Sequence, residues 1–403
     1  MSSSTPARPL DVPRDGLPSV TNEDIDDAVA RLASGRGSMA VDTERAMGLR
    51  YSNRAYLVQI RRAGAGTFLI DPVGIEDQLE DLRGVMSCEW ILHAADQDLP
   101  CLHELGLYPT KVFDTEIAAL LLGYERVSLQ ALCQEVLGWT LAKEHSNADW
   151  SQRPLPPPLL AYAALDVELL HELAEKLTDQ LIEAGRLEWF EQECEEVRLR
   201  KPAPPAKQPW RRTSRQAGIR DRRALAMLRE LWRARDGVAK RRDLAPGKVL
   251  PNQVLAELAA RKPRSRSDVV NSPLFRSRQR KRDLDTWWNA IDIAWRLDER
   301  ALPERKYTED KDPYPPIKRW DRHDEAAAAR WEVMRPKVLA LAEELGIRQD
   351  LLLKPAIQKM VAWTGWATQE ELVSLLAEHG ARPWQIKQVA GPVHVALQAA
   401  KVL

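Results

Sequence analysis

A chain of 403 residues is too long for one ordinary core and suits two or three domains. Hydrophobic residues make up 44% and charged residues 29%, the composition of a globular chain and not a disordered one. The net charge of zero hides a division: residues 1–200 sum to −16, residues 201–282 to +18 and residues 283–403 to −2. A basic block of that density faces a polyanion, and the acidic part can hold metal ions. No run reaches about 18 consecutive apolar residues, so a membrane span is excluded. The first 16 residues lack the apolar run of a secretory signal. Cys88, Cys101, Cys133 and Cys194 form no CxxC pair, which excludes a zinc ribbon and predicts a reducing, cytoplasmic setting.

In chain order, residues 1–20 read as a disordered tail. Thr21 followed by Asn22-Glu23-Asp24 reads as a capped helix start, with Ile25, Ala28, Val29 and Leu32 at helical spacing and Gly35-Arg36-Gly37 ending the helix. Strands are predicted at 38–42, 55–60, 67–70 and 90–93. A hairpin-length loop at 61–66 makes the second and third antiparallel, with Gly64 and Gly66 serving the turn. The stretch 71–89 allows a helical crossover to a parallel strand, so a mixed sheet is expected. Helices should follow at 97–105, 115–122, 128–137 and 157–184. Lys201-Pro202-Ala203-Pro204-Pro205-Ala206-Lys207 is a stiff, extended linker, and only helical patterns follow it, among them 326–345 and 369–379. Ten of the 14 tryptophans lie beyond residue 200, where small helical units would use them as core.

Three short motifs carry the chemistry. In Asp42-Thr43-Glu44, at a strand end, residues i and i+2 project from one face. Alone, such a pair equally describes two solvated carboxylates in a turn. In Leu92-His93-Ala94-Ala95-Asp96-Gln97-Asp98-Leu99, Asp96 and Asp98 fall where a helix begins; Asp96 suits the dipole, and Asp98 alone reads the same way. In Ala161-Tyr162-Ala163-Ala164-Leu165-Asp166, Tyr162 and Asp166 share a helix face that continues into Leu169, Leu173 and Leu177, so a carboxylate stands where an apolar residue is expected. Four carboxylates on three elements would repel one another unless divalent cations sat among them. Oxygen ligands without cysteine or a histidine pair favour magnesium or manganese over zinc. Two such ions about 3.5–4 Å apart can clamp a phosphodiester.

These motifs, in this order, resemble the DEDD superfamily of 3′→5′ exonucleases, in the subclass whose last motif is Tyr-x-x-x-Asp. With Ile70-Asp71-Pro72, Leu92-His93-Ala94, Asp114-Thr115, Asp149-Trp150 and Arg153-Pro154-Leu155, the chain is similar to bacterial ribonuclease D, and its helical continuation resembles the HRDC domain. The resemblance implies a ribonuclease H-like α/β domain followed by all-α domains. The expected division is a tail at 1–20, an exonuclease domain at 21–200, a Pro-rich basic linker at 201–214, an HRDC-like domain at 215–298, and a second helical, diverged HRDC-like unit at 299–403. Carried over by residue, the metal ligands fall on Asp42, Glu44, Asp98 and Asp166, and Tyr162 orients the attacking water. Glu44 would also meet the 3′-terminal hydroxyl. Two Mg2+ or Mn2+ ions are implied, with RNA 3′ ends (tRNA precursors among them) as substrate and a monomer as the working form.

Lys143 is a further candidate for a substrate phosphate, whereas His145 reads as a loop residue. The basic block, with Arg222 and Arg241 as representatives, reads as an RNA-backbone surface or as solvated helix. A DNA exonuclease on the same fold and a non-catalytic RNA-binding adaptor remain open alternatives. No motif reads a 2′-hydroxyl.

Overall fold

The computed structural model describes residues 7–23, 25–142, 148–275, 281–306 and 313–403. A six-stranded mixed sheet organises the first 200 residues. Its strands are β2 (Val20–Thr21), β3 (Arg36–Arg45), β4 (Ala55–Ala63), β5 (Gly66–Ile70), β6 (Glu89–Leu92) and β7 (Lys111–Asp114), in the order β2-β5-β4-β3-β6-β7. The pairs β3–β4 and β4–β5 are antiparallel, while β3–β6 and β6–β7 are parallel, as the connection lengths require. The hairpin is tighter than expected. Both strands run on until Arg62 faces Gly66, leaving Gly64 and Gly66 at φ of 82° and 97° to make the turn.

Helices cover both faces. One face of β3, with Met39 and Val41, packs beneath α1 (Asp26–Ser34), α2 (Glu80–Val85) and α3 (Leu99–Glu104), where Leu32, Leu82 and Leu102 are buried. Between α3 and the other face come α4 (Thr115–Leu122) and α5 (Leu129–Leu132), the latter running into a wider turn over Cys133–Leu137. On that face Ala40 meets Val167 of α6 (Pro157–Glu168) and Leu170 of α7 (Leu170–Glu183). The helix α8 (Leu187–Leu199) completes the layer.

Several local expectations are corrected. The first helix begins at Asp26, because Val20–Thr21 is drawn into the sheet beside Leu69–Ile70. The stretch expected to be a disordered tail holds β1 (Arg8–Leu10), which pairs in parallel with β8 (Trp139–Leu141) and buries Leu10 against Leu141. Helix 157–184 is two helices that break at Leu169. The apolar row is Leu165, Leu169, Leu173 and Leu177, so Asp166 is not on it; Tyr162, Asp166 and Leu170 form the adjacent row and line a cleft.

No strand is present after residue 200 among the described residues. Helix α9 (Trp210–Gln216), helix α10 (Arg222–Arg242) and helices Asn252–Arg261 and Leu284–Arg296 enclose a core of their own around Trp210, Leu231, Phe275 and Trp287. The final helices behave differently. Leu121 of α4, Leu173 and Leu177 of α7, and Phe190 and Cys194 of α8 share one continuous core with Trp320, Val338, Leu376 and Trp384. All ten tryptophans beyond residue 200 are buried or half-buried in these two cores.

Candidate active site

The site follows from where strand β3 outruns its neighbour. Pairing with β6 is registered at Met39 and Ala40, and β6 ends at Leu92, so residues 42–45 project past it while β4 still pairs Asp42, Thr43 and Glu44 with Gln59, Val58 and Leu57. Alternation then sorts the side chains. Asp42 and Glu44 share the face of Ala40, beneath α6; Thr43 points to the opposite face, beneath α3. Helix α6 brings in Tyr162 and Asp166. Carboxylate oxygens of Asp42, Glu44 and Asp166 lie within 4.8 Å of one another in a cleft of about 450 Å³, lined also by Arg45, Asp98 and Tyr162.

Asp98 arrives from the other side of the strand. Its Oδ1 accepts from the Thr43 hydroxyl at 2.7 Å, and the Arg45 guanidinium is 3.8 Å away. It lines the cleft without joining the three-carboxylate cluster. The loop that carries it is set by Asp114. That buried carboxylate accepts from the backbone N–H groups of Ala94 and Ala95 at 3.0 and 2.7 Å, and from those of Glu116 and Ile117 at the start of α4. Ala94 sits at φ 58°, a left-handed conformation that the clamp holds in place. Asp114-Thr115 and the His-Ala-Ala stretch are therefore one structural device. His93 adds to it through Nδ1 and Thr115 Oγ1 at 2.9 Å, and burial lowers its pKa to about 4, keeping it neutral.

Electrostatics mark the cluster as a cation site. Burial, then the neighbouring carboxylates, raises Asp42 well above the ordinary range and Glu44 to about 9. Burial raises Asp98 to about 6 against the Thr43 hydrogen bond and Arg45. Tyr162 is pushed far above its usual value by burial and by its acidic neighbours, and its hydroxyl is hydrogen-bonded to Asp166. All the donors in the cluster are carboxylate oxygens. The nearest thiol, Cys101, is pushed up to about 11 by burial and stays protonated against Thr43. Such a donor set fits a hard divalent cation.

Other expected residues fare unevenly. Lys143 and His145 lie outside the described residues. Arg153 is structural, since its guanidinium pairs with buried Asp71 and with the Trp150 and Tyr56 carbonyls, which joins the two motifs of the sequence. Arg222 is corrected: its guanidinium faces the carbonyls of Glu299, Leu302 and Pro303, tying α10 to the following turn. Arg211, Arg223 and Arg235 are likewise turned onto carbonyls. Arg241 is exposed. Sequence reasoning passed over Arg45, although its place beside the DxE pair at a strand end put it within reach of the same cleft.

Fold and site define a 3′→5′ exonuclease. Residues 18–182 match the family described as 3′-5′ exonuclease, residues 224–291 the HRDC domain, and residues 313–397 the 3′ to 5′ exonuclease C-terminal domain. Ribonuclease D of Jannaschia sp. is 30% identical over 272 residues, covering 65% of this chain and 70% of that one. Escherichia coli RNase D, an exoribonuclease involved in structured RNA processing, superposes with a TM-score of 0.66 at 25% identity, covering 94% of this chain and 99% of that one. A crystal structure of a protein from Bifidobacterium adolescentis superposes with a TM-score of 0.87 at 35% identity, covering 97% and 100%. The chain belongs to the ribonuclease D family and is a 3′→5′ exoribonuclease.

Proposed function

We propose that this exoribonuclease removes nucleotides one at a time from RNA 3′ ends, tRNA precursors among them, as nucleoside 5′-monophosphates, using two Mg2+ or Mn2+ ions held by Asp42, Glu44, Asp166 and Asp98. The observation that carries the reading is the convergence of Asp42, Glu44 and Asp166 within 4.8 Å, beside Tyr162 and in a cleft that Asp98 also lines. Bound there, the ions supply Lewis acidity for the attacking water and the leaving oxygen. The protein supplies placement. Tyr162 stays a neutral phenol, so it is no base at physiological pH. With its proton directed to Asp166, its oxygen is free to accept from a water and orient it. Glu44, at the open end of β3, meets the 3′-terminal hydroxyl. Thr43 and Asp114 touch no substrate in this reading; they hold Asp98 and its loop.

We assign the exonuclease domain to 21–200, the linker to 201–214 and the helical units to 215–298 and 299–403. Exposed cations such as Arg241, together with Lys143, contact the RNA backbone. The enzyme works as a monomer in the cytoplasm, a setting supported by four unpaired cysteines. The deciding experiment incubates 3′-labelled and 5′-labelled RNA and DNA of one sequence with each metal. Release of labelled mononucleotide from the 3′-labelled RNA, with stepwise shortening of the 5′-labelled strand, is expected. Release from the 5′ end, or faster digestion of DNA, refutes the reading.

A further inference from the structure

Arg45 is the one cation among the side chains that line the carboxylate cleft, within the described residues. Its environment differs from that of the next arginines along the chain. Arg50 Nε donates to Ser151 at 2.7 Å, and Arg54 donates to Glu76 at 3.4 Å while stacking on Tyr56. Arg45 approaches Asp98 Oδ1 only to 3.8 Å, beyond hydrogen-bonding distance, and that oxygen already takes the Thr43 hydroxyl at 2.7 Å. The side chain is 20% exposed and lines the cleft, and the guanidinium makes no hydrogen bond within 3.5 Å to any described residue. A half-buried guanidinium held only by a long ion pair gains from an anion that accepts from its N–H groups. The carboxylates cannot be that anion once cations occupy them. The other anion that the nuclease reading brings to this cleft is the phosphodiester of the strand.

We propose that Arg45 contacts the scissile phosphate, its planar fork donating to a non-bridging oxygen and fixing the linkage against the metal-holding carboxylates. The proposal rests on the nuclease reading above. Arginine suits this place better than lysine because two parallel N–H groups define an orientation as well as a charge. The contact also separates two functions within the cleft: the carboxylates hold the cations, and Arg45 holds the phosphate.

A protein–substrate double-mutant cycle tests it. Wild type, Arg45→Gln and Arg45→Lys are titrated with a short oligoribonucleotide in Ca2+, and with the same strand carrying a neutral methylphosphonate at the terminal linkage. Arg45→Gln should weaken binding of the ordinary strand by about 10- to 100-fold, with a smaller loss for Arg45→Lys, on the scale of a charge-assisted hydrogen bond. On the methylphosphonate strand, wild type and variants should bind alike. Mg2+ affinity without RNA should be unchanged or higher in Arg45→Gln, since a like charge has been removed. Equal losses on both strands, or weaker Mg2+ binding, overturn the proposal and make Arg45 a prop for Asp98. If Arg45→Gln does not fold, the cycle is read from Arg45→Lys. Failure of wild type to bind or shorten RNA refutes the nuclease reading itself, a result distinct from an additive cycle on an active enzyme.

Discussion

At the scale of single residues, the proposed roles divide the site into metal ligands and helpers, and substitution should reproduce the division. Asp166→Asn or Asp42→Asn removes an oxygen donor from the cluster, and the rate should fall by about two to three orders of magnitude. The metal-free fold should hold or gain slightly in thermal stability, because repulsion is relieved. Tyr162→Phe should lose about 10- to 100-fold while Mg2+ affinity by calorimetry stays put; loss of metal binding there would give Tyr162 another role. Proton linkage offers a second check. Glu44 ionises at about 9 in the folded, metal-free protein against an ordinary 4.5, so the folded state holds a proton that the unfolded state has released. Its contribution is therefore present at low pH and is lost as pH rises toward 9. His93, lowered to about 4, acts in the opposite sense only below its ordinary 6.5. Between pH 6.5 and 9, the melting temperature in EDTA should fall more steeply for wild type than for Glu44→Gln, and Mg2+ binding should release protons. Parallel melting curves would contradict the electrostatic account.

At the scale of elements, one strand and one loop build most of the site. Strand β3 presents Asp42 and Glu44 on one face and Thr43 on the other, so a one-residue slip against β4 would send both carboxylates under α3. The loop that delivers Asp98 depends instead on four N–H groups gathered by Asp114. Asp114→Ala leaves them without an acceptor in a buried setting and should cost about 2–4 kcal/mol of stability. Activity should fall with it, although Asp114 does not line the cleft. Wild-type melting behaviour in that variant would show the clamp to be idle.

At the scale of the whole molecule, the linker does not separate independent halves. Arg382 pairs with Glu193 of α8 through two bonds of 2.7 and 2.8 Å, both side chains being 9% exposed, and the Trp384 indole donates to the same carboxylate at 2.7 Å. Arg382→Ala strands that carboxylate and should cost about 3–5 kcal/mol, seen in urea denaturation. A fragment ending near residue 200 would expose Leu121, Leu177 and Phe190 of the shared core, so it should lose stability rather than fold freely. The HRDC-like unit is fastened elsewhere, through Tyr51 on Asp236 and the Ala245 N–H on the Leu49 carbonyl. Arg211 and Arg235 are buried, but most of its basic side chains stay exposed, Arg241 among them. Arg241→Ala should flatten the slope of log K against log salt by up to about 0.7 for single-stranded RNA if it meets a phosphate. An unchanged slope would leave it as solvated helix surface.

The sequence by itself determined the mixed sheet, because connection lengths dictate strand direction, and it carried the ligand types, because chemistry resides in side chains whose strand or helix spacing is local. Asp42 with Glu44, and Tyr162 with Asp166, were legible for that reason. Lys111–Asp114 and Trp139–Leu141 escaped notice because strands of four and three residues gain their structure from partners far along the chain. The row to which Asp166 belongs was misread because the break at Leu169 is invisible to periodicity. Only tertiary structure decided that Asp98 approaches from beyond β3, that Arg222 is engaged by the carbonyls of Glu299, Leu302 and Pro303 and that the last helices complete the nuclease core. Each of these depends on which surfaces meet, and burial is a property of the assembled chain.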